Sequence, residues 1–185
     1  MTARKAMFFD RDGVINKDKA YVHRWEDFEF MTGAIEGMKK IQDAGYALII
    51  VTNQSGLARG YYTEVQYQAL NSRLNEHLLR QGVRLDGIYH CPHHPMGTVP
   101  ELSVECYCRK PKPGMLFQAA RELVISLPDS VLIGDKVSDI EAARAAGVGR
   151  AFGVVSDNAE TISKYAGTDR TFSSLYDCAA YISTT

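Results

Sequence analysis

A chain of 185 residues is long enough to bury one core and short for two, and 45% hydrophobic with 23% charged residues is ordinary for a globular protein. Its 21 Lys+Arg against 22 Asp+Glu leave a formal net charge of −1, which excludes a global attraction to nucleic acid or to an anionic membrane. The basic start, Met1 to Lys5, leads into an apolar run that stops at Asp10, too short for a signal peptide or a membrane span, so a cytoplasmic protein is expected.

Short apolar runs then alternate with amphipathic stretches. Ala6-Met7-Phe8-Phe9 reads as a first strand ending at a charged turn. Thr32-Gly33 opens a helix with Ile35, Met38 and Ile41 at helical spacing, and Gly45 closes it. Tyr46 to Val51 is a continuous apolar run, as a strand buried on both faces requires. Thr63-x-x-Gln66 forms a capping box for a second helix that reaches about Gln81, with Leu70, Leu74 and Leu78 on one face. Asp86 to His90 is a candidate third strand. Residues 91–111 lack periodicity and are rich in Pro, Cys and His, so they form a loop. Pro113 suits the first turn of a third helix running to about Val124. Val131 to Ile133 is a strand, Ser138-x-x-Glu141 predicts a capping box for a helix ended by Gly147, and Ala151 to Val155 is a last strand. From Asn158 onward a terminal helix or two is expected. The alternation predicts an α/β fold, a mainly parallel sheet with helices on both faces, in a single domain over residues 1–185.

Ligands of such sheets gather at the carboxyl ends of the strands. There the chain carries Asp10-Arg11-Asp12-Gly13, then Thr52-Asn53-Gln54-Ser55, then Gly134-Asp135-Lys136 with Asp139, while Arg109-Lys110-Pro111 precedes the third helix. Carboxylates, a hydroxyl and a lysine converging in this way suit magnesium and phosphoryl transfer. Asp10 can accept a phosphoryl group, Asp12 can move the proton, and Asp10 with Asp135 offers hard oxygens to Mg²⁺. Thr52 can hold phosphoryl oxygens and Lys110 can neutralise the charge gathered there. An EF-hand starting at Asp10 fails because Ile15 stands where that loop needs Gly, and the Gly-Asp-Lys segment lacks the spacing of a P-loop.

Of the four cysteines, Cys91, Cys106 and Cys108 fall within 18 residues. Cys91-x-His93 and Cys106-x-Cys108 offer three thiols and an imidazole to a tetrahedral zinc, with His90 and His94 as rival ligands. Four protein ligands leave no open position, so the zinc is read as structural, stiffening the segment that delivers Arg109 and Lys110. Cys178 reads as a small buried hydrophobe.

Phe8 to Gly13, Val51-Thr52-Asn53, Arg109-Lys110-Pro111 and Ile133-Gly134-Asp135 resemble, in order, the four motifs of the haloacid dehalogenase superfamily. The resemblance implies a Rossmann-like three-layer sandwich, Asp10 as nucleophile, and Mg²⁺ on Asp10, the Asp12 carbonyl and Asp135. Neither stretch between the motifs is long enough for a large cap domain. Within the superfamily, Asp10 to Asn16, Tyr21-Val22-His23, Thr52 to Gly60, Cys91 to Pro95 and Cys106 to Pro111 look like the D-glycero-D-manno-heptose 1,7-bisphosphate 7-phosphatase family, through most of residues 6–150. That implies removal of the 7-phosphate from a sugar bisphosphate on the way to nucleotide-activated heptose and lipopolysaccharide core, with zinc on Cys91, His93, Cys106 and Cys108. It also implies substrate contacts from Asp18, Lys19, Ala20 and Tyr21 in the flap, from Asn53, Gln54 and Ser55, and from Arg109 and Lys136. A monomer is expected. The nearest rival is a histidinol-phosphate phosphatase, whose zinc loop is shorter than the 12 residues between His93 and Cys106 here. A rival of another class is a zinc-stabilised binding module without catalysis.

Overall fold

The run Ala6–Phe9 (β1) is buried on both faces, which suits the middle of a sheet. In the computed structural model, which describes residues 2–155 and 167–184, β1 lies between Ala47–Asn53 (β2) and Val131–Gly134 (β4). Gly87–Cys91 (β3) flanks β2, while Arg150–Val154 (β5) and Arg170–Phe172 (β6) extend the other side. The order is β3-β2-β1-β4-β5-β6, and every pairing is parallel.

Because strand side chains alternate between faces, two cores form. Met7, Phe9, Leu48, Ile50 and Ile133 meet helices Ala34–Asp43 (α1), Glu64–Arg80 (α2) and Leu175–Ile182 (α5) on one face. Phe8, Ile49, Val51 and Leu132 meet Gly114–Leu123 (α3) and Val137–Ala146 (α4) on the other. Full burial of Phe8 and of Phe9 contributes about 1.5–3 kcal/mol each. The three-layer sandwich expected from the sequence is the fold observed.

The Thr63 capping box forms in both directions: Gln66 N–H donates to the Thr63 hydroxyl at 3.3 Å, and Thr63 N–H to the Gln66 side chain at 2.8 Å. The Ser138–Glu141 box does not form. Helix α4 begins one residue before Ser138, and Asp139 caps it by accepting the Lys136 N–H at 3.0 Å. Strand β3 sits one residue later than expected: Asp86 joins β2 half by main chain, its N–H donating to Leu48 O at 2.8 Å, and half by side chain, its carboxylate accepting the Leu48 N–H at 3.0 Å. Strand β6 was not foreseen. It has three residues and begins with an exposed arginine, so it carries no apolar run to read. The expected helix start at Asn158 lies outside the described residues, while α5 supplies a terminal helix. Residues 10–33 and 92–113 carry short 3₁₀ turns at Trp25–Asp27 and Pro100–Leu102 rather than a cap domain. Among the described residues, no helix is long and apolar enough to cross a membrane.

Candidate active site

Parallel register brings the ends of β1, β2 and β4 level, so Asp10 emerges between Thr52 and Asp135. The Asp10 N–H extends the ladder by donating to Ile133 O at 3.0 Å, which holds the residue at the sheet edge. From the loop before α3, Lys110 reaches down among these groups and is 4% exposed. Its Nζ donates to Val51 O at 2.8 Å and lies 3.0 Å from Asp10 Oδ1 and 2.6 Å from Asp139 Oδ1. Asn53 clamps the Lys110 main chain twice: its Oδ1 accepts the Lys110 N–H and its Nδ2 donates to the Lys110 carbonyl, each at 3.0 Å. The lysine is therefore delivered by β2 as well as by its own loop.

One carboxylate oxygen each from Asp10, Asp135 and Asp139 lies within 4.8 Å of the others, and all three residues are buried. Burial pushes the Asp10 carboxyl above its ordinary value even though Lys110 opposes it. Burial, then the Asp10 charge, pushes Asp135 up to about 7. Burial alone would lower the Lys110 ammonium, but Asp10 and Asp139 hold it above its usual range. Asp135 Oδ1 is buried and accepts no hydrogen bond, with Lys136 Nζ 3.9 Å away. An orphaned hard oxygen in a cluster of three carboxylates with one buried lysine fits a divalent cation such as magnesium. Gly13, at φ 91°, lies against this group, and a Cβ there would run into the Asp135 carboxylate.

Asp12 faces a cavity of about 590 Å³ above these groups. Its wall includes Asp18, Ala20 and Tyr21 from the flap, Asn53, Gln54 and Ser55 after β2, and Arg109, Lys110 and Lys136. Thr52, Asp10 and Asp135 are buried and do not belong to that wall. Lys136 Nζ meets Asp18 Oδ2 at 3.2 Å, tying the flap to the end of β4. Lys19 is the exception among the expected contacts: it pairs with Glu29 at 3.0 Å and is not part of the wall. Tyr62 joins the wall without having been expected, and its hydroxyl donates to Gln54 Oε1 at 2.6 Å. Gln54 in turn donates to Thr52 Oγ1 at 2.9 Å and to Asp12 Oδ2 at 3.1 Å.

Asp139 and Arg11 are the groups that sequence reasoning left without a role. A Cβ on Gly134 would collide with the Asp139 side chain, so the Gly-Asp-x-x-x-Asp segment carried the first signal. Arg11 carried none, since a charged residue in a turn reads as solvated; in the fold it is fully buried.

In the Cys/His loop the Sγ atoms of Cys91 and Cys106 are 3.5 Å apart and those of Cys106 and Cys108 are 3.4 Å apart. His93 Nδ1 lies 3.3 Å from Cys108 Sγ and 3.9 Å from Cys91 Sγ. A tetrahedral zinc with Zn–S of about 2.3 Å and Zn–N of about 2.0 Å has edges of about 3.5–3.8 Å, so the four donors fit that ion. The Cys108 thiol is lowered to about 5, first by its bond from Cys91 and then, against burial, by His93. The rival histidines are engaged elsewhere: His90 pairs with Glu64 at 3.3 Å, and His94 Nε2 lies 3.3 Å from Arg59 Nη2. Cys178 is buried in the α5 core, as expected of a small hydrophobe.

This arrangement has close relatives. The D-glycero-alpha-D-manno-heptose-1,7-bisphosphate 7-phosphatase of Photorhabdus laumondii is 49% identical over 174 residues, covering 86% of this chain and 95% of that protein. The chain belongs to the heptose-1,7-bisphosphate 7-phosphatase family. A further heptose-1,7-bisphosphate 7-phosphatase, the beta-anomer enzyme of Escherichia coli K12, is 50% identical over 144 residues, covering 78% of this chain and 75% of that one. Among solved structures, the D,D-heptose 1,7-bisphosphate phosphatase of B. bronchiseptica, complexed with magnesium and phosphate, superimposes with a TM-score of 0.84 at 30% identity, covering 96% of this chain and 97% of the other. The HAD-hydrolase-like family model matches residues 107–176. The protein is accordingly a phosphatase of the haloacid dehalogenase type.

Proposed function

We propose that this phosphatase removes the 7-phosphate of a D-glycero-D-manno-heptose 1,7-bisphosphate through a phosphoryl group carried on Asp10. The observation that carries the reading is Asp10 itself: a buried carboxylate paired at 3.0 Å to Lys110, which lines a cavity together with Asp12, Arg109 and Lys136. In the first half-reaction an Asp10 oxygen bonds to phosphorus while the bond to the sugar oxygen breaks, and Asp12 gives that oxygen its proton. In the second, Asp12 takes a proton from water as the water oxygen bonds to phosphorus. The acyl phosphate bond breaks, inorganic phosphate leaves, and both aspartates are restored. Thr52 holds a phosphoryl oxygen, and Lys110 offsets the charge that Asp10 and the phosphate bring together.

Magnesium, held by Asp10, Asp135 and the Asp12 carbonyl, supplies the positive charge that lets one anion approach another. The pair Arg109 and Lys136 suits a substrate with two dianions, Arg109 through its planar fork. Zinc on Cys91, His93, Cys106 and Cys108 holds the loop from which Arg109 and Lys110 project; Arg109 Nη1 donates to His93 O at 3.3 Å, inside that cluster. We read the chain as a single-domain, monomeric cytoplasmic enzyme supplying nucleotide-activated heptose. The test is a rate comparison among both heptose bisphosphate anomers, fructose 1,6-bisphosphate and histidinol phosphate. The heptose bisphosphates are expected to lead in kcat/KM by at least ~10²-fold. Histidinol phosphate matching them would replace this reading with its rival.

A further inference from the structure

Arg11 is fully buried, an expensive place for a guanidinium unless its bonds demand it. Its bonds are concentrated on one atom. Nη2 donates to Asp12 Oδ1 and Oδ2, both at 3.0 Å, and to the Val22 carbonyl of the flap at 2.7 Å. Nε and Nη1 are buried without a hydrogen-bond partner, and the group stacks near the Tyr67 ring, 5.8 Å from its centroid. The hydrogen bonds this side chain does make are therefore all the work of Nη2.

That work is directional. Asn16 Nδ2 donates to Asp12 Oδ1 at 2.9 Å and Gln54 to Oδ2 at 3.1 Å, so with Arg11 both carboxylate oxygens are held and the plane of the group is fixed. Asn16 and Gln54 each grip one oxygen, while Nη2 grips both. When either oxygen turns to the leaving group, Nη2 can keep the other. The same nitrogen holds Val22, next to the flap residues Ala20 and Tyr21 that wall the cavity. The seat of the substrate and the proton carrier thus share one donor.

We infer that Arg11 is a positioning residue, its Nη2 aiming the Asp12 carboxylate at the leaving oxygen and registering the flap to it. This rests on Asp12 as proton carrier. Only a poor leaving group needs that proton, so the loss of Arg11 must depend on the leaving group.

The experiment measures kcat/KM of Arg11→Gln, Arg11→Lys and Asp12→Asn, each loaded with magnesium, on the heptose bisphosphate and on p-nitrophenyl phosphate. Arg11→Gln is expected to lose about 10²-fold on the sugar phosphate and less than about threefold on the aryl ester. Arg11→Lys keeps a charge and three donors on a shorter stem, so a loss of about tenfold on the sugar phosphate alone is expected. Should Arg11→Gln not fold, as circular dichroism would show, Arg11→Lys decides the matter. Equal losses on both substrates, or none, beside a selective loss in Asp12→Asn would overturn the role given to Arg11. If Asp12→Asn is itself unselective, the proton-carrier reading fails and the inference fails with it.

Discussion

Asp10, Thr52, Lys110 and Asp135 come from segments spread over more than a hundred residues, whereas Cys91, His93, Cys106 and Cys108 lie within 18. The distant set is the better built. Strand register brings three of its members level, Asn53 clamps the fourth, and Lys110 stands between Asp10 and Asp139 so that its charges oppose one another. Of the local set only Cys91 is on the ladder, as the last residue of β3, while His93, Cys106 and Cys108 sit on the irregular loop after it, with donors 3.3–3.9 Å apart that chiefly face each other. A parallel sheet can hold a catalytic group to its place from afar; donors on a loop beyond the ladder are where a bound ion would add the most order.

This contrast can be broken from either side. The largest effect is expected from Asp10→Asn, which removes the attacking oxygen while keeping the shape of the site. Turnover should fall by at least ~10⁴-fold with little change in melting temperature, and wild-type-like turnover would refute the covalent route. Next comes zinc removal by Cys108→Ser or by a chelator selective for zinc. Lys110 is held by Asn53 and by carboxylates outside the loop, but Arg109 bonds to the His93 carbonyl within it. Steady-state kinetics should therefore show KM rising about tenfold or more, with kcat falling less. A protein proven zinc-free with unchanged KM would show that the loop shapes itself.

The smallest effect concerns protons at the carboxylate cluster. With Asp135 pushed up to about 7, by burial first and Asp10 second, its proton must leave before a cation binds. Magnesium affinity, followed by titration calorimetry, should weaken as pH falls through that value, by up to about tenfold between about pH 8 and about pH 6. A flat profile would mean that Asp135 is already ionised when the cation arrives.

The carboxylate site was legible in the sequence because each member directly follows an apolar run or precedes a helix, and strand ends in a parallel sheet converge. The same reasoning named Asp139 after the last motif but gave it no role, because its helical position shows that role only once Lys110 is placed beside it. Arg11 was hidden for another reason: nothing local distinguishes a buried arginine from a solvated one, since its partners Asn16, Gln54 and Val22 meet only through tertiary folding. Lys19 shows the converse, a flap residue expected with its neighbours whose side chain pairs with Glu29 and is not part of the cavity wall. The Cys/His cluster was fully legible, and the choice among His90, His93 and His94 became physical only when the rivals were found engaged. In the tail, β6 has an exposed first residue and no apolar run, so only its pairing with β5 reveals it.

The most direct measurement is to quench the magnesium-loaded enzyme within milliseconds of adding heptose bisphosphate, reduce it with borohydride, and map the product by peptide mass spectrometry. Reduction of an acyl phosphate turns the aspartate into homoserine. The account predicts homoserine at position 10 in the wild type and at no other aspartate, and none in Asp10→Asn. Full turnover with an unmodified Asp10 at every quench time would contradict it.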